Sequence, residues 1–428
     1  MLMILPLSPP AIQAPLPPDL PARLTLEEAL DRFRHKGFDL LIADAAVRQA
    51  QGELQSSGAL PSPVLSFSAG RTKGYDPTAA GPGASDKSYG VGISDANALS
   101  DLMWGKRCLR VRVSEAAIQA AKLGRRDAER TLTTLLKEQY LQAALAQTNL
   151  VLTDTGSQSA GKTLGLVEAR YRAGAVSEAD VARAKVAALE AEQSRDAAQQ
   201  TLRSAQAGLA FLLGCRGATP DFQLEHRFDH PELQDAAPLD QARLDQEALS
   251  QRPDLLLAAA QEQRAAAGLL LAHRNWAPDL TWSFNLAQEG SGQNALQPRT
   301  YTVGLAVPLP SIRRQRGEIA KAEADHRTQE LQKAKAQAQV VQDVANAVAA
   351  FEAARKRLRR MEGGLLQAAQ RSYELVSFQY EKGATSLLDV LDAQRTCLAT
   401  QAEHLQNLND YWTASFQLDQ ALGKEPNR

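Results

Sequence analysis

The chain has 428 residues, with 48 Lys+Arg against 49 Asp+Glu and a formal net charge of −1. That balance excludes a broad electrostatic pull toward nucleic acid, and aromatics at 5% are few for a large globular enzyme core. Alanine and glutamine are abundant instead, which suits long helices packed closely along a seam.

In chain order, the N-terminal MLMILPLSPPAIQAPLPP is apolar, proline-rich and without a basic residue. Residues 1–24 read as the remnant of a secretory signal or as a disordered arm. A helix of moderate length follows over 26–58, with Thr25 and Glu28 at capping-box spacing. Two short strands come next, around Val64–Ala69 and Tyr89–Ile93. A very long helical run spans about 110–172, then a turn centred on Gly174, then a helix over 177–213. The segment 215–242, rich in Asp, His and Pro, is a linker. The order then recurs: a helix over 243–274, strands around Thr281–Leu286 and Tyr301–Val307, a helical run over 312–381, a turn at Gly383, and a helix over 386–422.

The recurrence is also written in residues. Tyr171-Arg-Ala-Gly174-Ala-Val-Ser177-Glu-Ala-Asp180-Val181 returns, 209 positions on, as Tyr380-Glu-Lys-Gly383-Ala-Thr-Ser386-Leu-Leu-Asp389-Val390. Pro63-Val-Leu65-Ser-Phe67 matches Pro278-Asp-Leu280-Thr-Trp282. Two structural repeats follow, 25–214 and 243–428. The fold class is therefore mainly α with a small β part, built as a duplicated helix–strand–strand–long helix–helix repeat.

The duplication also decides the one spelling that suggests an enzyme. Gly156-Ser-Gln-Ser-Ala-Gly161-Lys162-Thr163 reads as a phosphate-binding loop, which requires a strand before it and a helix after it. The equivalent positions in the second repeat are Leu365 and Gln370, inside an unbroken helical pattern, so the stretch is expected to be helix. Neither a nucleotide site nor any other cofactor is expected.

The strands carry the most specific signal. Leu65 and Phe67 oppose Ser66 and Ser68. Tyr89, Val91 and Ile93 oppose Ser88, Gly90 and Gly92. Trp282, Phe284 and Leu286 oppose Thr281, Ser283 and Asn285, and Tyr301, Val303, Leu305 and Val307 oppose Thr302, Gly304 and Ala306. Each strand has an apolar face and a small, polar one. Four strands cannot enclose a lumen alone, and lipid outside with water inside fits this alternation. The intervening loops GYDPTAAGPGASDK and EGSGQNALQP are polar and turn-rich. Trp282 and Tyr301 read as interfacial anchors or as packing at a subunit contact.

This duplicated order, with Y-x-x-G-x-x-x-x-x-D-V at both turns, resembles the TolC family of outer-membrane efflux channels over roughly residues 25–423. Arg252-Pro253-Asp254-Leu255 is similar to its metal- and drug-efflux branches. The resemblance implies a homotrimer with a twelve-stranded outer-membrane β-barrel, contacting outer-membrane lipid, and a trimeric α-helical periplasmic barrel. It implies a passive conduit, not an enzyme, docked to a periplasmic adaptor protein and an inner-membrane pump. On the family pattern, Asp389 and Asp392 line the periplasmic gate, with Tyr380 and Asp180 in the links that hold it closed. Gly174 and Gly383 form the helix-tip turns. Asp389 and Asp392 share a helix face by their i, i+3 spacing. A threefold ring of such pairs favours cations and is expected to hold some protons more tightly than usual. The other reading of Asp389 is an acid at a helix N-terminus. A basic residue known in the family at the Thr385 position is absent, so an ion pair from Asp180 to that position cannot form.

The remaining candidates are weaker. His226 and His230, with Glu225, have helical metal-ligand spacing, yet Pro231 marks them as linker histidines. The other four, His35, His273, His326 and His404, are scattered, and no metal site is expected. The three cysteines form no C-x-x-C. The alternative to an efflux duct is a soluble long-helix scaffold or partner-binding protein.

Overall fold

The computed structural model describes residues 20–71, 73, 78, 86–216, 222–225, 239–288, 299–309 and 312–424. Most of the 1–24 arm, the bulk of both strand-connecting loops, and His226 and His230 lie outside the described residues. Ten α-helices and six strands follow in chain order among those that are described: β1 (Arg23–Leu24), α1 (Leu26–Lys36), α2 (Phe38–Gly58), β2 (Val64–Arg71), β3 (Lys87–Ser94), α3 (Ala98–Met103), α4 (Lys106–Arg172) and α5 (Glu178–Leu212). Then come β4 (Gln223–Leu224), α6 (Gln241–Gln251), α7 (Pro253–Arg274), β5 (Thr281–Gln288), β6 (Thr300–Ala306), α8 (Ile312–Arg360), α9 (Leu366–Glu381) and α10 (Leu387–Leu422). No described helix is long and apolar enough to cross a membrane.

Three helices expected to be single are broken, each for a local reason. The 26–58 helix starts at the Thr25/Glu28 capping box as expected. It is interrupted at Gly37, where a Cβ would lie 2.6 Å from the buried Phe33 ring. The 243–274 helix breaks at Arg252, held extended by the following Pro253, which itself opens α7. The 312–381 run contains a π-turn at Met361–Leu365, with Gly364 at φ 129°. Glycine tolerates that angle because it has no Cβ.

The chain forms two compact units, with boundaries inside α2, α4 and α8 and at Arg252. The first comprises Met1–Ala43, Arg126–Arg252 and Ala338–Arg428. Its core gathers Leu24, Phe33, Leu40, Leu136, Tyr140, Leu209 and Leu213. Here β1 pairs in parallel with β4. The Tyr140 hydroxyl donates to Leu24 O at 2.9 Å, and Gln147 brackets the Leu224 peptide. Burial, aided by Glu225 and Glu28, pushes the Tyr140 hydroxyl up to about 12. Arg252 is also buried in this unit. Its guanidinium donates to Asp343 at 2.9 Å and to the helix-end carbonyl of Ala421.

The second unit, Asp44–Arg125 and Pro253–Gln337, holds an antiparallel sheet in the order β2-β3-β5-β6. Its register stacks the apolar residues. Phe67 pairs with Val91 and Val91 with Leu286, while Leu65 pairs with Ile93 and Ile93 with Phe284, which pairs in turn with Val303. The opposite face is filled by small residues, Ser66 opposite Gly92, Ser68 opposite Gly90 and Ser283 opposite Gly304. Lys106, buried at the start of α4, ties this unit together by donating to Asp279 at 2.5 Å and to Ala277 O at 2.7 Å.

Candidate constriction site at the helix tips

The two turns flagged by the repeat are built alike. At the first, Gly174 N–H donates to Tyr171 O and Ala175 N–H to Arg170 O, both at 2.9 Å. At the second, Gly383 N–H donates to Tyr380 O and Ala384 N–H to Gln379 O, again at 2.9 Å. This is the paired Schellman closure of a helix C-terminus, and it requires a left-handed residue. Gly174 (φ 74°) and Gly383 (φ 75°) supply it. Each turn then runs into a capping box. Ser177 Oγ accepts from Asp180 N–H, and the Asp180 carboxylate accepts from Ser177 N–H. Ser386 and Asp389 repeat the pattern.

Asp180 and Asp389 are therefore first of all helix caps. The Ser177 hydroxyl holds the Asp180 carboxyl below its ordinary value, helped by the Ser177 backbone and by Arg183. The Ser386 hydroxyl does the same for Asp389, followed by the Thr385 hydroxyl at 2.8 Å and the Ser386 backbone. Tighter proton binding expected of a carboxylate ring is thus not the tendency of Asp389 within one chain. Hydrogen bonds to the ionised form outweigh desolvation at this exposed position. Among the described residues the bonds of both aspartates stay within their own helix start. Asp392 is exposed and accepts from Arg395 at 3.0 Å, which sets a cation beside this carboxylate. It borders a groove of about 680 Å³ among α4, α5 and α10, whose lining includes Arg183 and Arg395.

Tyr380 is not a surface residue. It is 5% exposed and packs with Val167, Ala184, Leu387 and Val390 in a cluster that joins the two tips. Its hydroxyl has no hydrogen-bond partner among the described residues. The cross-tip link that sequence reasoning missed is Arg170. Its guanidinium carbon lies 4.4 Å from the Tyr380 ring centroid, and Nη2 donates to the carbonyls of Tyr380 (3.0 Å) and Glu381 (3.1 Å). A cation over an aromatic face and two helix-end carbonyls is favourable on both counts. Nothing in the repeat reveals it, because the equivalent second-half residue is Gln379.

The phosphate-loop spelling lies inside α4, where Thr163 Oγ1 donates to Ser159 O. Gly156 instead admits the Leu398 side chain of α10, 3.1 Å from where a Cβ would stand.

The family model described as "Outer membrane efflux protein" matches residues 29–215 and 244–424. The chain belongs to the outer membrane efflux protein family. Its members are channels of tripartite efflux systems, working with an adaptor and an inner-membrane pump. The protein is thus an outer-membrane exit channel with a periplasmic helical portion, and the scaffold alternative gives way. The pyoverdine export outer membrane protein OpmQ of Pseudomonas aeruginosa is 27% identical over 410 residues, 93% of this chain and 85% of that protein. The cobalt-zinc-cadmium resistance protein CzcC of Cupriavidus metallidurans is 24% identical over 407 residues, 94% and 90% respectively. The Campylobacter jejuni CmeC outer membrane channel shares the fold at a TM-score of 0.79 and 19% identity, over 94% of this chain and 87% of that one.

Proposed function

We propose that three copies of this efflux channel assemble so that their sheets close one twelve-stranded barrel in the outer membrane and their helices one periplasmic tube. The observation that carries this is the apolar sheet face. Phe67, Tyr89, Val91, Trp282, Phe284, Tyr301 and Val303 are 42% to 75% exposed on a single chain. An in-register apolar surface of that kind calls for lipid. The edge strands β2 and β6 each have one neighbour in this sheet, so further copies supply the missing pairs.

In this assembly residues 25–214 and 243–428 act as two pseudo-equivalent repeats joined by the 215–242 linker. Asp389 and Asp392 line the narrow periplasmic end, six carboxylates around one axis, with the Arg395 side chains tempering the Asp392 set. Tyr380 and Asp180 belong to the contacts that hold that end closed, on the turns of Gly174 and Gly383. The channel catalyses nothing. It receives cargo from its adaptor and inner-membrane pump, and the pump selects what passes.

Planar-bilayer recording of the purified protein tests this reading. The wild type is expected to conduct with cation preference, and Asp389→Asn with Asp392→Asn to raise conductance or weaken that preference. Unchanged conductance and selectivity in the double variant would remove both aspartates from the gate.

A further inference from the structure

The second unit brings together three metal-ligating side chains that are far apart in sequence. Glu262 lies on α7, and His326 and Glu330 lie on α8. One donor atom from each falls within 4.8 Å of the other two, and all three residues are half-buried. The helix itself fixes two of them. His326 and Glu330 are four residues apart, so they share one face, with Nδ1 3.8 Å from Glu330 Oε1. Glu262 reaches them from the neighbouring helix.

The surrounding cations sharpen the geometry. Arg327 Nη1 donates to Glu330 Oε2 at 2.8 Å, which leaves Oε1 on the His326 side. Lys333 Nζ donates to Glu262 Oε2 at 2.7 Å. A lysine head group on the Glu262 carboxylate occupies ground that a divalent ion can take over, because it is a point charge on a flexible stem. One imidazole and two carboxylates suit a borderline divalent transition-metal ion, and three protein ligands leave a position for water. Metal–ligand bonds of about 2.0–2.2 Å require only modest rotamer changes from the present spacing.

We propose that Glu262, His326 and Glu330 bind a divalent transition-metal ion that staples α7 to α8, with Lys333 as the group the ion displaces. The site is independent of the helix tips and of the cargo exported.

Untagged, chelator-treated full-length protein in detergent is titrated with Co²⁺, read by its d–d absorption, and with Zn²⁺ by calorimetry. The expected result is one ion per chain. His326→Ala should weaken binding at least tenfold, on the scale by which even outer-shell changes act. Glu262→Gln should weaken it likewise, and Lys333→Met should tighten it several-fold. The double variant His226→Ala/His230→Ala should bind as the wild type does. Wild-type protein that takes up no ion, or affinities that His326→Ala and Lys333→Met leave unchanged, would overturn the proposal. Because Lys333→Met is expected to act in the opposite direction to ligand loss, a misfolded His326→Ala protein could not mimic the full pattern.

Discussion

Tyr171 is 45% exposed and Tyr380 is 5% exposed, although each stands three residues before the left-handed glycine of its own helix tip. The backbones around them are near copies: the same Schellman closure, the same capping box, the same aspartate at its third helical position. The differences lie in side chains. Thr385 replaces Val176 and adds a hydroxyl to Asp389. Asp392 stands where the first repeat has Arg183, which pairs with its own Asp180 at 3.5 Å. Arg170 stands where the second has Gln379, and it clamps the second tip from the first. Duplication preserved the frame that ends one helix and starts the next. Charge and burial diverged on top of it: Arg170 and Arg183 of the first tip stand where the second has Gln379 and Asp392.

The largest difference is expected between the two tyrosines. Tyr380→Ala removes a buried ring from the cross-tip cluster and should cost about 3 kcal/mol of local stability, read as amide hydrogen exchange across both tips. Tyr171→Ala should change the same exchange by less than about 0.5 kcal/mol. Equal effects would show that burial does not distinguish the tips. Smaller and symmetric are the glycines. Gly174→Ala and Gly383→Ala force an L side chain into the left-handed region and should each cost about 1–2 kcal/mol. A neutral result at either would mean that its turn is not closed as described.

The smallest effect concerns acid. Both carboxyls titrate below their ordinary value in the folded chain. Their capping contribution is therefore complete above the unfolded carboxylate value, about 3.9, and is lost as pH falls through the folded values. Thr385→Val makes the second tip like the first and should move that loss toward higher pH at Asp389 alone. Exchange of the Ser386–Asp389 amides across the acid range would reveal it, and an unchanged profile would exclude the Thr385 hydroxyl as a contributor.

These comparisons also mark what is legible in a sequence. The tips were readable because glycine, serine and aspartate at fixed spacing are a local code for stopping and restarting a helix. The strand faces were readable because period-two alternation maps directly onto the two sides of a sheet. The breaks at Gly37 and Gly364 were not, since a lone glycine also sits unbroken inside helices, as Gly156 and Gly161 do in α4. Contacts between distant segments were harder still. The β1–β4 pairing, the Arg170 clamp on Tyr380 and the meeting of Glu262 with His326 each depend on which helix faces rotate together, and no residue spacing states that. Asp389 shows the converse: its place at a helix N-terminus was legible locally, whereas a shared gate depends on copies of the chain meeting.

The central claim is that the Phe67 and Val303 side of the sheet meets hydrocarbon while the Ser68 and Thr302 side meets water. Nitroxide labels at these four positions, in a chain whose three native cysteines are replaced by serine and which is reconstituted in lipid, test it directly by their collision with oxygen and with a water-soluble nickel chelate. Oxygen should relax the labels at 67 and 303, and the chelate those at 68 and 302. The same response on both faces, or chelate access at 67 and 303, would contradict the account.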